Sequence, residues 1–229
     1  MKLVHVGLTD EIIREQDVMT ELIIESPEIC ADYLQELYAQ LNKKEGRFVL
    51  SQANKIIDIS KYVEIIMNPF DIEINNRKVI NKLYGELEEI SKMEWMYTKT
   101  LELESLIRKY LLELEHHTDY MLTFDEELGM SAILKGVNMR YEEQEMDFFE
   151  KLVSYIKIVV KVLAVKLVVF VNIRSYLTDE QMQALCKEMT YQEVKGLFIE
   201  NQERSCVEGV RRYIILSLTV IRRKNRCIP

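Results

Sequence analysis

The run Lys166–Glu200 admits few folds, because the start, the turn and the end of one crossover unit are all written into it. Leu167–Val171 is a short apolar stretch with three valines, the pattern of a strand buried on both faces, as strands of a parallel sheet are. Asn172–Leu177 then leaves the sheet. Thr178 is a good N-cap, Asp179 and Glu180 put negative charge in the first turn, and Gln181 completes a capping box. Met182, Leu185, Cys186 and Met189 recur at helical spacing, and Gly196–Ile199 supplies the next apolar strand. A right-handed parallel pairing of the two strands follows.

The rest of the chain extends the same alternation. Lys2–Val6 and Val18–Glu25 read as strands. Ser26-Pro27-Glu28 gives an N-cap, a proline at the first helical position and an early acid, opening a helix through Leu41 that ends at the turn Asn42–Gly46. Arg47–Leu50 and Tyr62–Met67 are further strands, the second stopped by Asn68-Pro69. From Asn76 to His117 the texture becomes one long helix, about 60 Å at 1.5 Å per residue. Its Met93, Met96, Thr100, Leu103, Ile107, Tyr110 and Leu114 form a heptad seam. Glu142–Val162 offers a second helix, with Phe149, Leu152, Ile156, Val159 and Leu163 at similar spacing. The expected fold is an α/β parallel-sheet head, made of residues 1–80 and 156–229, with a helical leg inserted at 81–155.

Composition narrows the class. With 48% hydrophobic and 30% charged residues but only 7 Gly and 3 Pro, the chain reads as globular and helix-rich rather than disordered. Cys30, Cys186, Cys206 and Cys227 are far apart and lack metal spacing, so they read as thiols in a reducing cytoplasm. Ile156–Ile173 is interrupted by Lys157, Lys161 and Lys166 and does not read as a membrane span. Net charge is −8, and residues 86–150 alone hold 17 acids against 6 bases. Composition therefore gives no basic nucleic-acid-binding domain.

Enzyme signatures are equally sparse. The seven glycines, at positions 7, 46, 85, 129, 136, 196 and 209, allow neither a GxxxxGK[ST] phosphate loop nor a GxGxxG fingerprint, so no ATP hydrolysis is expected. Glu193-Val194-Lys195 has the acid-x-lysine form of metal-dependent nucleases and Asp71 could complete it, but a solvated turn before a strand explains it better. His116-His117 are adjacent on a helix and point to different faces.

The segments LVVFVN, SYLTDEQMQAL and GLFIE, with LTFDEELGMSAILKGVNMRYEE, LLELEHH and the long helix upstream, resemble the CRISPR-associated Csn2 family, the spacer-acquisition proteins of type II-A systems. The resemblance covers Tyr84–Glu200 closely and the first 83 residues more loosely. It implies a head similar to P-loop nucleotidases but without the phosphate loop, and a ring-shaped homotetramer holding the ends of double-stranded DNA in its channel. It also implies work in the cytoplasm beside the integrase complex and RNA-guided nuclease of the locus, without catalysis. The tail Arg211–Pro229 lacks the acidic, aromatic ending that the resemblance implies, and reads as an added strand, a divergent end or a basic extension.

Two sets of residues follow as candidates. Calcium takes six to eight oxygens in irregular geometry, and the resemblance implies Ca2+ at the hinge of head and leg, held here by Asp119, Asp125, Glu126, Glu127 and Glu142. Asp125 and Glu126 match best, while Thr123 and Tyr120-Met121 lack carboxylates that relatives carry. The bland reading of the same acids is a solvated helix face. For DNA phosphates the candidates are Lys43, Lys44, Arg47, Lys55 and Lys61 in the turns of the head, Lys135 and Arg140 around a short insert helix, and Arg174 after the strand end. The alternatives are a protein-interaction scaffold without DNA binding of its own, or a metal-dependent nuclease.

Overall fold

A computed structural model describes residues 1–123, 125, 128–142, 145–217 and 220–224. It divides into two compact units, one holding Met1–Ile74 and Gln144–Pro229, the other Asn75–Glu143. The first unit is α/β and is built on a six-stranded sheet. In chain order its strands are β2 (Met19–Ile24), β5 (Val63–Ile66), β6 (Leu167–Val171), β7 (Lys195–Glu200), β8 (Val210–Ser217) and β9 (Val220–Lys224). They lie in the order β5-β6-β7-β2-β8-β9. The first five are mutually parallel, and β9 closes the edge antiparallel to β8.

The crossover expected from Lys166–Glu200 is present. β6 and β7 pair parallel with Val169 opposite Leu197, and all five residues of β6 are buried. Helix α7 (Asp179–Tyr191) opens on the Thr178–Gln181 capping box and buries Met182, Leu185, Cys186 and Met189. Helix α6 (Phe148–Leu163) starts on a second capping box, Asp147 with Glu150. Ala164, left-handed at φ 54°, ends it and turns the chain into β6.

Register sorts the sheet's two faces, because side chains alternate along each strand. Gly196, Phe198 and Glu200 share a face with Met19, Glu21 and Ile23 and with Val210, Arg212 and Ile214. On this side Met189 of α7 reaches Gly196, where an added Cβ would meet its Cε at 3.1 Å. The opposite face presents Leu22, Ile24, Leu167, Val169, Leu197, Ile199, Tyr213 and Ile215 to a core completed by a smaller sheet and α1 (Pro27–Leu41). That smaller sheet is antiparallel, in the order β1 (Lys2–His5), β3 (Phe48–Gln52), β4 (Lys55–Ile56). A short helix, α2 (Ile59–Tyr62), links it to β5.

The second unit is helical, with α3 (Arg77–Ser91), α4 (Glu94–His116) and α5 (Met130–Gly136). The single long helix expected over 76–117 is broken at Lys92 and Met93. The Thr100 hydroxyl donates to the Ser91 carbonyl at 2.9 Å, holding the start of α4 against the end of α3. α4 buries none of its residues, and the seam members Leu103, Tyr110 and Leu114 are exposed. The spacing over 142–162 suggests a leg helix, whereas α6 belongs to the first unit because Leu152, Tyr155, Ile156, Val159 and Val162 are buried.

The described part of the tail is sheet structure, in β8 and β9, and residues 218–219 and 225–229 lie outside the described residues. β8 lies beside β2, and Arg211 and Arg212, although charged, are buried. Each has carboxylate and carbonyl partners. Arg212 donates Nε to Glu21 at 2.6 Å, Nη1 to Glu203 at 3.0 Å and Nη2 to the carbonyls of Arg204 and Ser205. Arg211 donates to Asp17 at 3.0 Å and to the carbonyls of Ile12 and Glu11.

Because Glu21 lies between two buried guanidiniums, Glu21→Leu leaves both short of a counter-charge, and removing one partner of a buried pair costs about 3–5 kcal/mol. Equilibrium urea unfolding of Glu21→Leu against the wild type should show a loss of that size. A loss under about 1 kcal/mol would mean that the ion network does not hold β8 in place.

Candidate nucleic-acid interface

The cations of the head are arranged by the junction between α1 and the small sheet. Lys43, left-handed at φ 60°, and Lys44 close the last turn of α1 by donating their backbone N–H groups to Gln40 and Ala39. The Gln40 side chain then clamps that turn to β3, donating to the Phe48 carbonyl at 2.9 Å and accepting from its N–H at 3.0 Å. The β3–β4 hairpin turns through Ala53 and Asn54, both left-handed, and carries Lys55 outward. Lys61 stands on α2, whose N-cap is Asp58.

Lys43, Lys44 and Lys61 share one neighbourhood. The Asp58 carboxyl is held below its usual range by the Ser60 hydroxyl and N–H, and further by the charges of Lys61 and Lys43. Lys43 and Lys44 line the same shallow pocket as Asp58 and Ile56. Lys43, Lys44, Lys55 and Lys61 are all exposed. Lys55 and a further cation, Lys166, both lie beside Gln52. Lys166 donates to Gln52 Oε1 at 2.6 Å and sits 4.7 Å from the centre of the Tyr62 ring. In the sequence it only interrupts an apolar run, so pairing across the two sheets was needed to find it.

Other expected contacts are placed differently. Arg174 is buried, with 4% of its surface exposed, and cannot present itself to a phosphate. Its guanidinium donates to Glu21 at 2.9 Å, to Asp179 at 2.9 Å and to both the carbonyl and hydroxyl of Ser205. Arg47 is exposed but committed, its guanidinium held by both oxygens of Glu36 at 2.8–3.2 Å. That pairing, with a smaller contribution from His5, holds the Glu36 carboxyl at about 2. Lys135, in the last turn of α5, and Arg140 are exposed and belong to the second unit.

The acidic candidates do not assemble among the described residues. Asp119, Asp125 and Glu142 are exposed, and no three His, Cys, Asp or Glu side chains there could hold a metal ion. Glu126 and Glu127 lie outside the described residues. Nearby acids have other work: Asp147 caps α6, and Glu115 accepts from the Leu122 N–H at 3.0 Å. The described carboxylates alone do not fit a calcium site.

The nuclease pattern is also taken apart. Lys195 begins β7 and spends its ammonium on the carbonyls of Arg14, Glu15 and Asp17. Asp71 follows the carboxyl end of β5. Since β5 and β7 run parallel, the two residues stand at opposite ends of the sheet. Only Glu25 and Ser26 separate β2 from α1, and the Ser26 hydroxyl accepts from the Ile29 N–H at 3.4 Å. Of the thiols, Cys186 is pushed up to about 12 by burial, which makes it unreactive.

The geometry defines a class first: a parallel-sheet α/β protein with an inserted helical unit and a lysine-bearing antiparallel sheet on one face. Comparison with known proteins then gives the family. The family model described as CRISPR-associated protein (Cas_Csn2) matches residues 40–217, and the chain belongs to that family. It is 23% identical over 190 residues to the CRISPR-associated protein Csn2 of Streptococcus agalactiae, covering 79% of this chain and 81% of that relative. A CRISPR-associated role follows. No helix among the described residues is long and apolar enough to cross a membrane.

At the carboxyl end of β7, Glu200 is 1% exposed, and burial raises its carboxyl to about 7 although it accepts the Arg174 N–H at 3.2 Å. The folded state thus holds a proton that the unfolded chain releases near pH 4.5, so stability is greatest below that pH and is lost as pH rises through 7. Unfolding free energy should fall by about 2–3 kcal/mol between about pH 5 and 8. Glu36, whose stabilising effect is complete above pH 4.5, does not vary over this range. Glu200→Gln should flatten the profile; an unchanged slope in that variant would assign it to another group.

Proposed function

We propose that the chain serves spacer acquisition as a non-catalytic protein that binds the ends of double-stranded DNA without sequence preference, closed into a homotetrameric ring in the cytoplasm. The observation that carries this reading is the grouping of Lys43, Lys44 and Lys61 about Asp58, where α1, the small sheet and α2 meet, with Lys55 and Lys166 both beside Gln52 on the same sheet. Phosphates ask for cations within reach and nothing more, and ordering by β3, β4 and α2 supplies a patch rather than scattered charges. In a chain of net −8, such a patch concentrates attraction on one surface while the remainder repels.

The exposed seam of α4 supports assembly, because Leu103, Tyr110 and Leu114 stand 40–60% exposed among the described residues. In a closed ring each channel lysine is repeated by symmetry, which raises local positive potential without a basic subunit. The integrase complex and RNA-guided nuclease of the locus are the proposed partners. The same exposed seam also suits a second reading, an interaction scaffold that docks partner helices and binds no DNA. Retained partner pull-down without duplex binding would favour it.

The central test is charge reversal. Lys43→Glu combined with Lys61→Glu should weaken duplex binding by at least about tenfold near 0.1 M salt and reduce the slope of log K against log salt. Lys157→Glu, on α6 and paired with Glu188 at 3.4 Å, should leave binding unchanged. Equal losses in both variants, measured by fluorescence anisotropy, would remove the lysine face from the account.

Calcium belongs to the proposal as an ion for the acidic segments of the second unit. A chelator should then lower the mass of the assembly in light scattering. An unchanged mass would exclude a structural role for the ion.

A further inference from the structure

The lysine face is not uniformly polar. Between the end of α1 and the β3–β4 hairpin lies a shallow pocket of about 400 Å³, with Leu50, Ile57 and Ile59 in its lining and Lys43 and Lys44 at its mouth. In the same lining Ile56 stands 78% exposed, an isoleucine on a two-residue edge strand. Asp58 is the carboxylate of this lining, and its Oδ1 is occupied by the Ser60 N–H at 2.9 Å and hydroxyl at 2.8 Å.

Duplex phosphates have no use for an aliphatic concavity, since they gain nothing from covering Ile56 and the pocket below it. An apolar side chain gains from leaving water there. Cations placed around such a pocket select for acids flanking that side chain. We infer that this pocket is a docking site for an acidic peptide segment of a protein partner, with one bulky apolar side chain seated against Ile56 and Ile57, above the buried Leu50 and Ile59, and flanking carboxylates paired with Lys43 and Lys44.

Charge complementarity carries the choice of occupant. On a chain of net −8 an acidic peptide is repelled by most of the surface and is attracted where these lysines gather. The site goes beyond the DNA reading and does not require it. Where both hold, peptide and duplex compete for Lys43 and Lys44, so the segment acts as a means of releasing DNA from this face.

The test uses the full chain and two fluorescein-labelled peptides of equal charge, one of glutamates with a central leucine pair and one of glutamates and serines. Fluorescence anisotropy should show the leucine peptide binding about tenfold more tightly than the serine peptide. Ile56→Ser should abolish that difference while leaving binding of a labelled duplex unchanged. Lys43→Glu with Lys44→Glu should weaken both peptide and duplex. Equal affinity for the two peptides on the wild-type chain, or an Ile56→Ser variant that keeps the preference, would overturn the proposal. If duplex fails to bind while the leucine preference persists, the DNA reading falls and the docking site stands.

Discussion

One carboxylate, Glu21, holds the first unit together by serving two guanidiniums inside the sheet. Its Oε1 accepts from Arg174 and its Oε2 from Arg212, with all three side chains nearly sealed from solvent. Charges buried in this way survive only when their remaining hydrogen bonds are met. Here they are met by Asp179, Glu203 and the backbone of residues 204 and 205. The arrangement fixes β8 beside β2, ties the start of α7 to the sheet and pins the loop after β7. Glu200 sits at its margin, accepting the Arg174 N–H while its Oε2 has no partner among the described residues, which is why burial dominates its protonation.

Locking one face leaves the other to do different work. The opposite side of the sheet is mostly apolar, apart from Arg211 and Thr20 at one end, and is covered by α1 and the antiparallel sheet through aliphatic and aromatic side chains. The turns at their ends are exposed and carry cations. The Gln40 clamp and the left-handed residues at 43, 53 and 54 determine where those cations stand. The lysine face is thus a product of turn geometry rather than of composition, which explains how an acidic chain can offer one.

Where local rules sufficed, the fold could be read from the residues. Thr178 with Gln181, and Ser26 with Pro27, announced α7 and α1 because capping is written within four residues. The valine run of β6 announced a strand covered on both faces. What escaped depended on distant partners. Arg211 and Arg212 read as a basic tail, since nothing nearby reveals Asp17 or Glu21 as their counter-charges. Arg174 reads as a phosphate contact for the same reason, its partners Glu21 and Asp179 being settled only by the fold. The break between α3 and α4 carries neither proline nor glycine, and Met93 at the cap makes no side-chain hydrogen bond. Of the candidate site, Lys43, Lys44, Lys55 and Lys61 were legible as turn and helix-end cations; Lys166 and the commitment of Arg47 to Glu36 were not.

The proposed function requires a duplex held by its backbone inside a closed assembly that is entered from an end. Competition between a labelled linear duplex and unlabelled DNA of the same sequence, either linear or covalently closed, tests this most directly. Linear competitor should displace the label while closed circles of equal mass leave it bound. Equal displacement by both forms would contradict end entry and, with it, the ring.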